Sequence, residues 1–223
     1  MVNKRYKKEI EDFIYKGEKT PFTLGTLVVV IFCVFLLILA TFSEFNLVRF
    51  RPLFEDSFKI LMVNFPYVAQ IPTTILISAI LGIRFSLLTL ILYILLGLFL
   101  VPVFGYGGGI QYAKLYVFGY ILGFIPATFA VNYFLKKYTG FLSILYAGLA
   151  GIFSVYLTGI LYALILLLFR QINFQFFVDA VLYIGFTRTF YDFLLSVFAI
   201  LISCPIKQIL WLAMNNSVSK RQK

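Results

Sequence analysis

The sequence predicts an all-α membrane protein, a bundle of six transmembrane helices, and three observations carry that prediction. Of its 223 residues, 62% are hydrophobic and only 13% charged, with mean hydropathy +0.98. A water-soluble domain carries roughly 25% charged residues. Uncharged runs cover 20–43, 60–83, 85–113, 115–135, 138–169 and 193–206. Most far exceed the ~9–11 residues of a membrane β-strand, and a spanning helix needs ~20. The third observation is where the charges fall. With six spans and both termini in the cytoplasm, Lys4, Arg5, Lys7, Lys8, Lys16, Lys19, Arg84, Lys136, Lys137, Lys207, Lys220, Arg221 and Lys223 lie on the inner side. Only Arg49, Arg51, Lys59, Lys114, Arg170 and Arg188 lie outside. This is the positive-inside bias. The net charge of +10 therefore reads as topology plus attraction to anionic lipid. Nucleic acid is not an expected partner, because no basic patch interleaved with aromatics lies on a soluble surface.

The elements follow in order. Residues 1–20 form a cytoplasmic tail with room for a short amphipathic helix carrying Ile10, Phe13 and Ile14 on one side. Residues 21–214 form the transmembrane domain and 215–223 a C-terminal tail. Span one runs from Pro21, a residue suited to a first helical turn, to Phe42. An outer segment of mixed charge covers 44–59. Pro66 and Pro72 interrupt the next apolar run, so a regular second span is expected only over 71–83. The stretch before Pro72 is expected to enter the membrane as irregular backbone, which must be buried in protein or line a cavity. Span three covers 85–104, followed by a Gly-rich loop over 105–114. Span four covers 115–135, kinked at Pro126. Span five lies within 140–169, where Ala147, Gly148, Ala150 and Gly151 permit close helix contact. A second outer segment, 170–191, carries Phe174, Phe176, Phe177, Tyr183 and Phe186, with an interfacial helix expected over 174–184. Span six covers 192–214.

The chemistry is sparse. The chain has no histidine, which removes the commonest general base and metal ligand. Cys33 and Cys204 sit inside apolar spans without metal-ligand spacing, and read as small buried hydrophobes. No phosphate-binding loop, zinc motif or nucleophile elbow is present. The outer acids Glu44, Glu55, Asp56, Asp179 and Asp192 lie outside the span centres and form no assignable acid–base pair. An enzyme is disfavoured, and no metal or cofactor is expected. No charge lies near the middle of a span, which tells against a proton-coupled carrier.

The candidate binding residues gather near the outer side. Gly105, Gly107, Gly108 and Gly109 permit positive φ and close approach to a ligand, or simply a tight reversal. Tyr112, Tyr116 and Tyr120, with Tyr106, place amphipathic rings at one level, as an aromatic belt also would. Lys114 and Arg188 are outer cations that suit ligand contact or snorkelling. Asp192 has two readings that can coexist: an N-terminal cap of span six, or a ligand contact.

The order of Ile71-Pro72-Thr73-Thr74, Leu81-Gly82-Ile83-Arg84, Leu96-Gly97-Leu98, Val101-Pro102-Val103-Phe104, the glycine loop and Gly119-Tyr120-Ile121-Leu122-Gly123-Phe124 resembles the BioY family. These are the biotin-capturing membrane subunits of energy-coupling factor (ECF) vitamin transporters. The resemblance is good over about 65–135 and weak in the last helix. It implies the six-helix bundle of an ECF S component, with an outward-facing biotin pocket closed by outer loops. By position, Asp192 matches a family Asp placed to accept from the ureido group. Further implications are a transmembrane coupling subunit, two ATPases, and toppling of the subunit in the membrane. Leu195 stands where family members often have Lys, Leu76 where they often have Gln, and Tyr116-Val117-Phe118 replaces a common Pro-Thr-Gly. The small-residue docking motif of span one is not evident; Ala40 stands alone. The alternative reading is a transporter or channel for another small molecule, acting without an ATPase.

Overall fold

The structure, a computed structural model, describes residues 24–53 and 59–219. The expected tail 1–20 with its amphipathic helix, Pro21, and the acids Glu55 and Asp56 lie outside them. Helix α1 spans Leu24–Phe42. Strand β1, Glu44–Leu53, pairs antiparallel with β2, Lys59–Val68, in a register running from Glu44 opposite Val68 to Leu53 opposite Lys59. The segment before Pro72, expected to be irregular, is thus a strand. Its ladder satisfies the backbone polar groups that irregular structure would leave bare. Pro66 is compatible because each strand of a two-stranded sheet has an edge that needs no N–H donor.

The helical segment Gln70–Leu95 contains Gly82 at φ 70°, ψ −178°, a conformation for which only glycine is suited. A straight helix would hold residues 70 and 93 roughly 35 Å apart. Instead Gln70 Nε2 donates to Tyr93 Oη at 2.8 Å. Ser86 Oγ likewise reaches back to the Ile77 carbonyl at 3.1 Å. Gly82 is therefore a hairpin between two antiparallel arms, α2 (70–81) and α3 (83–95). A π turn, Leu96–Leu100, continues α3. Among the described residues, five helical stretches are long and apolar enough to cross a membrane, including Gln70–Leu100 as one. Resolved into its two arms, that stretch gives the expected six membrane segments. The fold is a multi-pass helical membrane protein.

Helix α2 is only about 18 Å long at ~1.5 Å per residue, against a hydrocarbon core of ~30 Å. Its N-terminus stops short of one membrane face and leaves depth above Gln70. The C-terminal end is secured by Asn132, whose Nδ2 donates to the Ser78 carbonyl at 3.1 Å, and by Ser78 Oγ bonded to Thr128 Oγ1 at 2.8 Å. These bonds occupy polar groups that lipid cannot satisfy.

A 3-10 turn, Ile110–Lys114, closes the glycine loop. Span four is then two helices, α4 Phe118–Leu122 and α5 Phe124–Lys137. The expected kink lies at Gly123 rather than at Pro126, because Pro126 lacks the N–H that would bond the Leu122 carbonyl, so the break falls one turn earlier. Helix α6, Phe141–Leu168, follows span five closely. Ala147, Gly148 and Gly151 are buried on its packed face. A Cβ at Gly151 would stand 2.8 Å from Val131 Cγ2, which shows how closely α5 and α6 approach.

The last element corrects the sequence reading. The interfacial helix and span six are one helix, α7, Phe174–Ser219. It begins at Asn173, whose Oδ1 accepts from Phe176 N–H at 2.8 Å. No proline interrupts the sequence until Pro205, so nothing stops the helix near Asp192. The helix also runs past the expected boundary at 214. The apolar core joins Leu37 of α1, Ile75 of α2, Leu90 of α3, Val131 of α5, Val155 of α6 and Ile200 of α7. Outward faces carry Phe32, Phe35, Phe153 and Phe198, suited to lipid.

Candidate ligand-binding site

A cavity of about 260 Å³ opens where α2 stops short. That is close to the lower end of the ~300–1,000 Å³ typical of small-molecule sites. Three groups of residues build it.

The first is a hydroxyl–amide cluster. Thr41 at the end of α1 and Gln70 at the start of α2 both line the cavity. Gln70 Nε2 donates to Thr41 Oγ1 at 3.2 Å and to Tyr93 Oη at 2.8 Å, while Thr41 Oγ1 and Tyr93 Oη lie 3.0 Å apart. The Gln70 Nε2 is thus turned toward protein partners, which fixes the orientation of the amide.

The second is an aromatic wall of Tyr106, Tyr112, Tyr116, Tyr120 and Phe124. Tyr116 and Tyr120 meet edge to face, with centroids 6.5 Å apart, and Tyr120 meets Tyr156 in the same way at 6.2 Å. The Tyr120 ring lies directly on Gly159, where a Cβ would overlap it. Tyr112 is buried against Phe104, with centroids 4.6 Å apart. Burial pushes its phenol up to about 12, so it stays protonated at neutral pH. Tyr162 Oη donates to the Ala113 carbonyl and ties this loop to α6.

The third group carries charge. Glu44 and Arg188 line the cavity, and so does Tyr156. Asp192 lies behind Tyr156, fully buried and not on the cavity wall. Its Oδ2 accepts from Tyr156 Oη, and its Oδ1 accepts from Tyr67 Oη at 2.6 Å. Arg188 stands one turn before Asp192 on α7 and lines the cavity. Burial, then the adjacent carboxylate, holds the Tyr67 phenol far above its usual range, so it remains a donor. A carboxylate in a spanning helix costs about 2.5–3.5 kcal/mol. Two phenol donors and a nearby guanidinium offset that.

Asp192 is therefore not a helix cap. It lies deep within α7, and its oxygens serve side chains from β2 and α6. Among the sequence candidates, the structure brings Tyr112, Tyr116, Tyr120 and Arg188 together on the cavity wall, with Asp192 behind. It does not bring Gly107, Gly108 and Gly109 there; from that loop Gly105, Tyr106 and Tyr112 line the cavity. Gly109 N–H instead bonds the Gly97 carbonyl at 2.9 Å, and Gly107 closes a two-way bridge with Phe104. Those glycines shape the reversal and let it pack on α3. Sequence reasoning missed Thr41, Tyr67, Gln70, Tyr93 and Tyr156. Each is a lone polar or amphipathic residue in or beside an apolar run, and that was the available signal.

Fold and cavity together define a multi-pass helical membrane protein with a cavity of small-molecule size at one end of its helix bundle. A sequence model of the BioY family matches residues 56–211, more than half of the chain, and the chain belongs to that family. A probable biotin transporter BioY of Lysinibacillus sphaericus is 36% identical over 72 residues. That alignment covers 32% of this chain and 37% of the relative's own length. The crystal structure of the S-component for biotin from an ECF-type ABC transporter superposes with a TM-score of 0.61 at 18% identity, covering 84% of this chain and 95% of that one. The likeness establishes the shared fold.

Proposed function

We propose that the chain is the membrane subunit of a biotin uptake system, capturing biotin or a close relative from the outer side. The observation that carries this reading is the cavity itself. An amphipathic tyrosine wall suited to an aliphatic body, the oriented amide of Gln70, and a charged side with Arg188 converge within one small volume. A bicyclic ureido ring with an acidic tail presents the complementary groups: N–H donors, a carbonyl, an apolar chain and a carboxylate. On this reading Tyr112, Tyr116 and Tyr120 enclose the apolar body, Arg188 meets a carboxylate, and Asp192 fixes Tyr156 and Tyr67. Direct contact of Asp192 with the ureido N–H groups requires the Tyr156 side chain in front of it to move aside. Gly107, Gly108 and Gly109 hold the loop rather than the ligand.

In the proposed orientation both termini are cytoplasmic and the cavity faces outward, consistent with the clustering of cations at Arg84, Lys136 and Lys137. The sequence contains no nucleotide-binding motif, so uptake is assigned to a complex with an ECF coupling subunit and ATPases in the plasma membrane. The test is accumulation of labelled biotin in cells lacking their own transporter. Accumulation that requires co-expression of the coupling module supports the assignment. Equal accumulation without it favours a carrier acting alone.

A further inference from the structure

A second groove, of about 430 Å³, lies at the end of the bundle opposite the cavity and is lined by Ile83, Phe129, Tyr133, Lys136 and Lys137. Leu81 and Lys137 are the far ends of α2 and α5 from the cavity residues Gln70 and Phe124. Phe129, Tyr133 and the lysine pair recur at three- and four-residue spacing, so they form one stripe along α5. Phe129 is 47% exposed and Tyr133 54% exposed, and Ile83 of the hairpin turn forms the facing wall. The floor is apolar and the mouth is cationic. Lys137 Nζ sits over the Tyr133 ring at 5.3 Å and the Tyr138 ring at 5.5 Å, which hold the ammonium at the mouth. Arg84 stands on the adjacent turn, over Phe85.

These cations have no acidic counterpart on the surrounding helices. The sequence contains no Asp or Glu between Asp56 and Asp179, and none after Asp192. Glu44, Asp179 and Asp192 belong to segments at the cavity end. Paired lysines facing an apolar groove, with no carboxylate on the described helices around it, match a molecule with an anionic head and an apolar tail. We propose that this groove binds an anionic phospholipid, with an acyl chain along Phe129, Tyr133 and Ile83 and the phosphate against Lys136 and Lys137. An apolar floor beneath a cationic mouth selects an anionic lipid over a folded partner.

The test is native mass spectrometry of the full-length protein titrated with phosphatidylglycerol, phosphatidylcholine of the same acyl chains, and glycerol 3-phosphate. At roughly 1 kcal/mol per lysine near an anionic surface, wild type should prefer phosphatidylglycerol by tenfold or more. K136Q/K137Q should reduce that preference to twofold or less, with helix content by circular dichroism unchanged, and K136R/K137R should retain it. Absence of any preference in wild type overturns the proposal, as does a preference that survives K136Q/K137Q. Equal competition by glycerol 3-phosphate would make the groove a free-anion site and refute a lipid role. A preference that appears only after deletion of residues 1–20 would mean that Glu9, Glu11, Asp12 or Glu18 of the chain's own tail occupies the groove, which also refutes it.

Discussion

Tyr67→Phe removes one of two phenols that donate to the Asp192 carboxylate. Asp192 is fully buried, so water cannot replace the lost donor. A hydrogen bond to a buried charged group is worth about 1.5–3 kcal/mol, and a neutral one about 0.5–1.5. Tyr67→Phe in the wild-type background should therefore cost about 1.5–3 kcal/mol of stability. In the background of Asp192→Asn the acceptor is neutral, and the same substitution should cost only about 0.5–1.5 kcal/mol. The difference, on the order of 1 kcal/mol, is the coupling energy of the pair. It is measured as a double-mutant cycle by equilibrium unfolding in mixed micelles, with the two single variants, the double variant and wild type. Because Tyr67 lies near the end of β2 and Asp192 in α7, the cycle reads whether the carboxylate fastens the β1–β2 pair to the bundle. Additivity within about 0.5 kcal/mol would refute a shared network and return Asp192 to a role independent of Tyr67.

Gly159→Ala places a methyl group on the Tyr120 ring and should cost about 1–3 kcal/mol as overpacking; biotin affinity should fall with it, because that ring lines the cavity, and titration calorimetry reads the loss. Gly82→Ala should lower stability by about 1–3 kcal/mol through its φ of 70° alone, since its Cβ meets nothing closer than Asn132 Oδ1 at 3.8 Å; thermal unfolding checks this, with ligand affinity expected to hold. Gln70→Ala should weaken binding about tenfold, or about 1.4 kcal/mol, while the contact between Thr41 and Tyr93 persists; an unchanged dissociation constant would exclude Gln70 from the site. The phenol of Tyr112 is raised from 10.0 to about 12 by burial. The folded state then holds its proton more tightly than the unfolded state, so this contribution is complete below pH 10 and is lost as pH rises toward 12; thermal unfolding from pH 8 to 12 should show the decline, and Tyr112→Phe should lessen it.

The membrane segments were legible because their signal is long and simple: apolar runs punctuated by Arg84, Lys136 and Lys137. The reversal at Leu81-Gly82-Ile83-Arg84 was also legible, since glycine and a cation mark a turn between apolar runs. The strand Lys59–Val68 was not, because Pro66 and Pro72 argued for irregular backbone, and only its partner Glu44–Leu53 makes the segment a ladder. The unbroken course of α7 was missed for a related reason. The aromatics after Phe174 suit an interface, and Asp192 mimics a cap, but Asn173 had already supplied one. In the site, Tyr112, Tyr116, Tyr120 and Arg188 were visible as outer-side amphipathic residues. Tyr67, Gln70 and Tyr156 were not, because their role depends on partners far apart in the chain, such as Asp192 for Tyr67 and Tyr156, and Tyr93 for Gln70. Gly107 and Gly109 drew attention as ligand contacts because positive φ serves either purpose; only the bond from Gly109 to Gly97 shows that the loop uses it for packing.

Whether the cavity holds biotin is decided by calorimetric titration of biotin into the purified protein. Saturable binding of one biotin per chain, weakened by Gln70→Ala and by Tyr120→Ala, is the expected result. No heat at any temperature tried, together with no thermal stabilisation at saturating biotin, would contradict it.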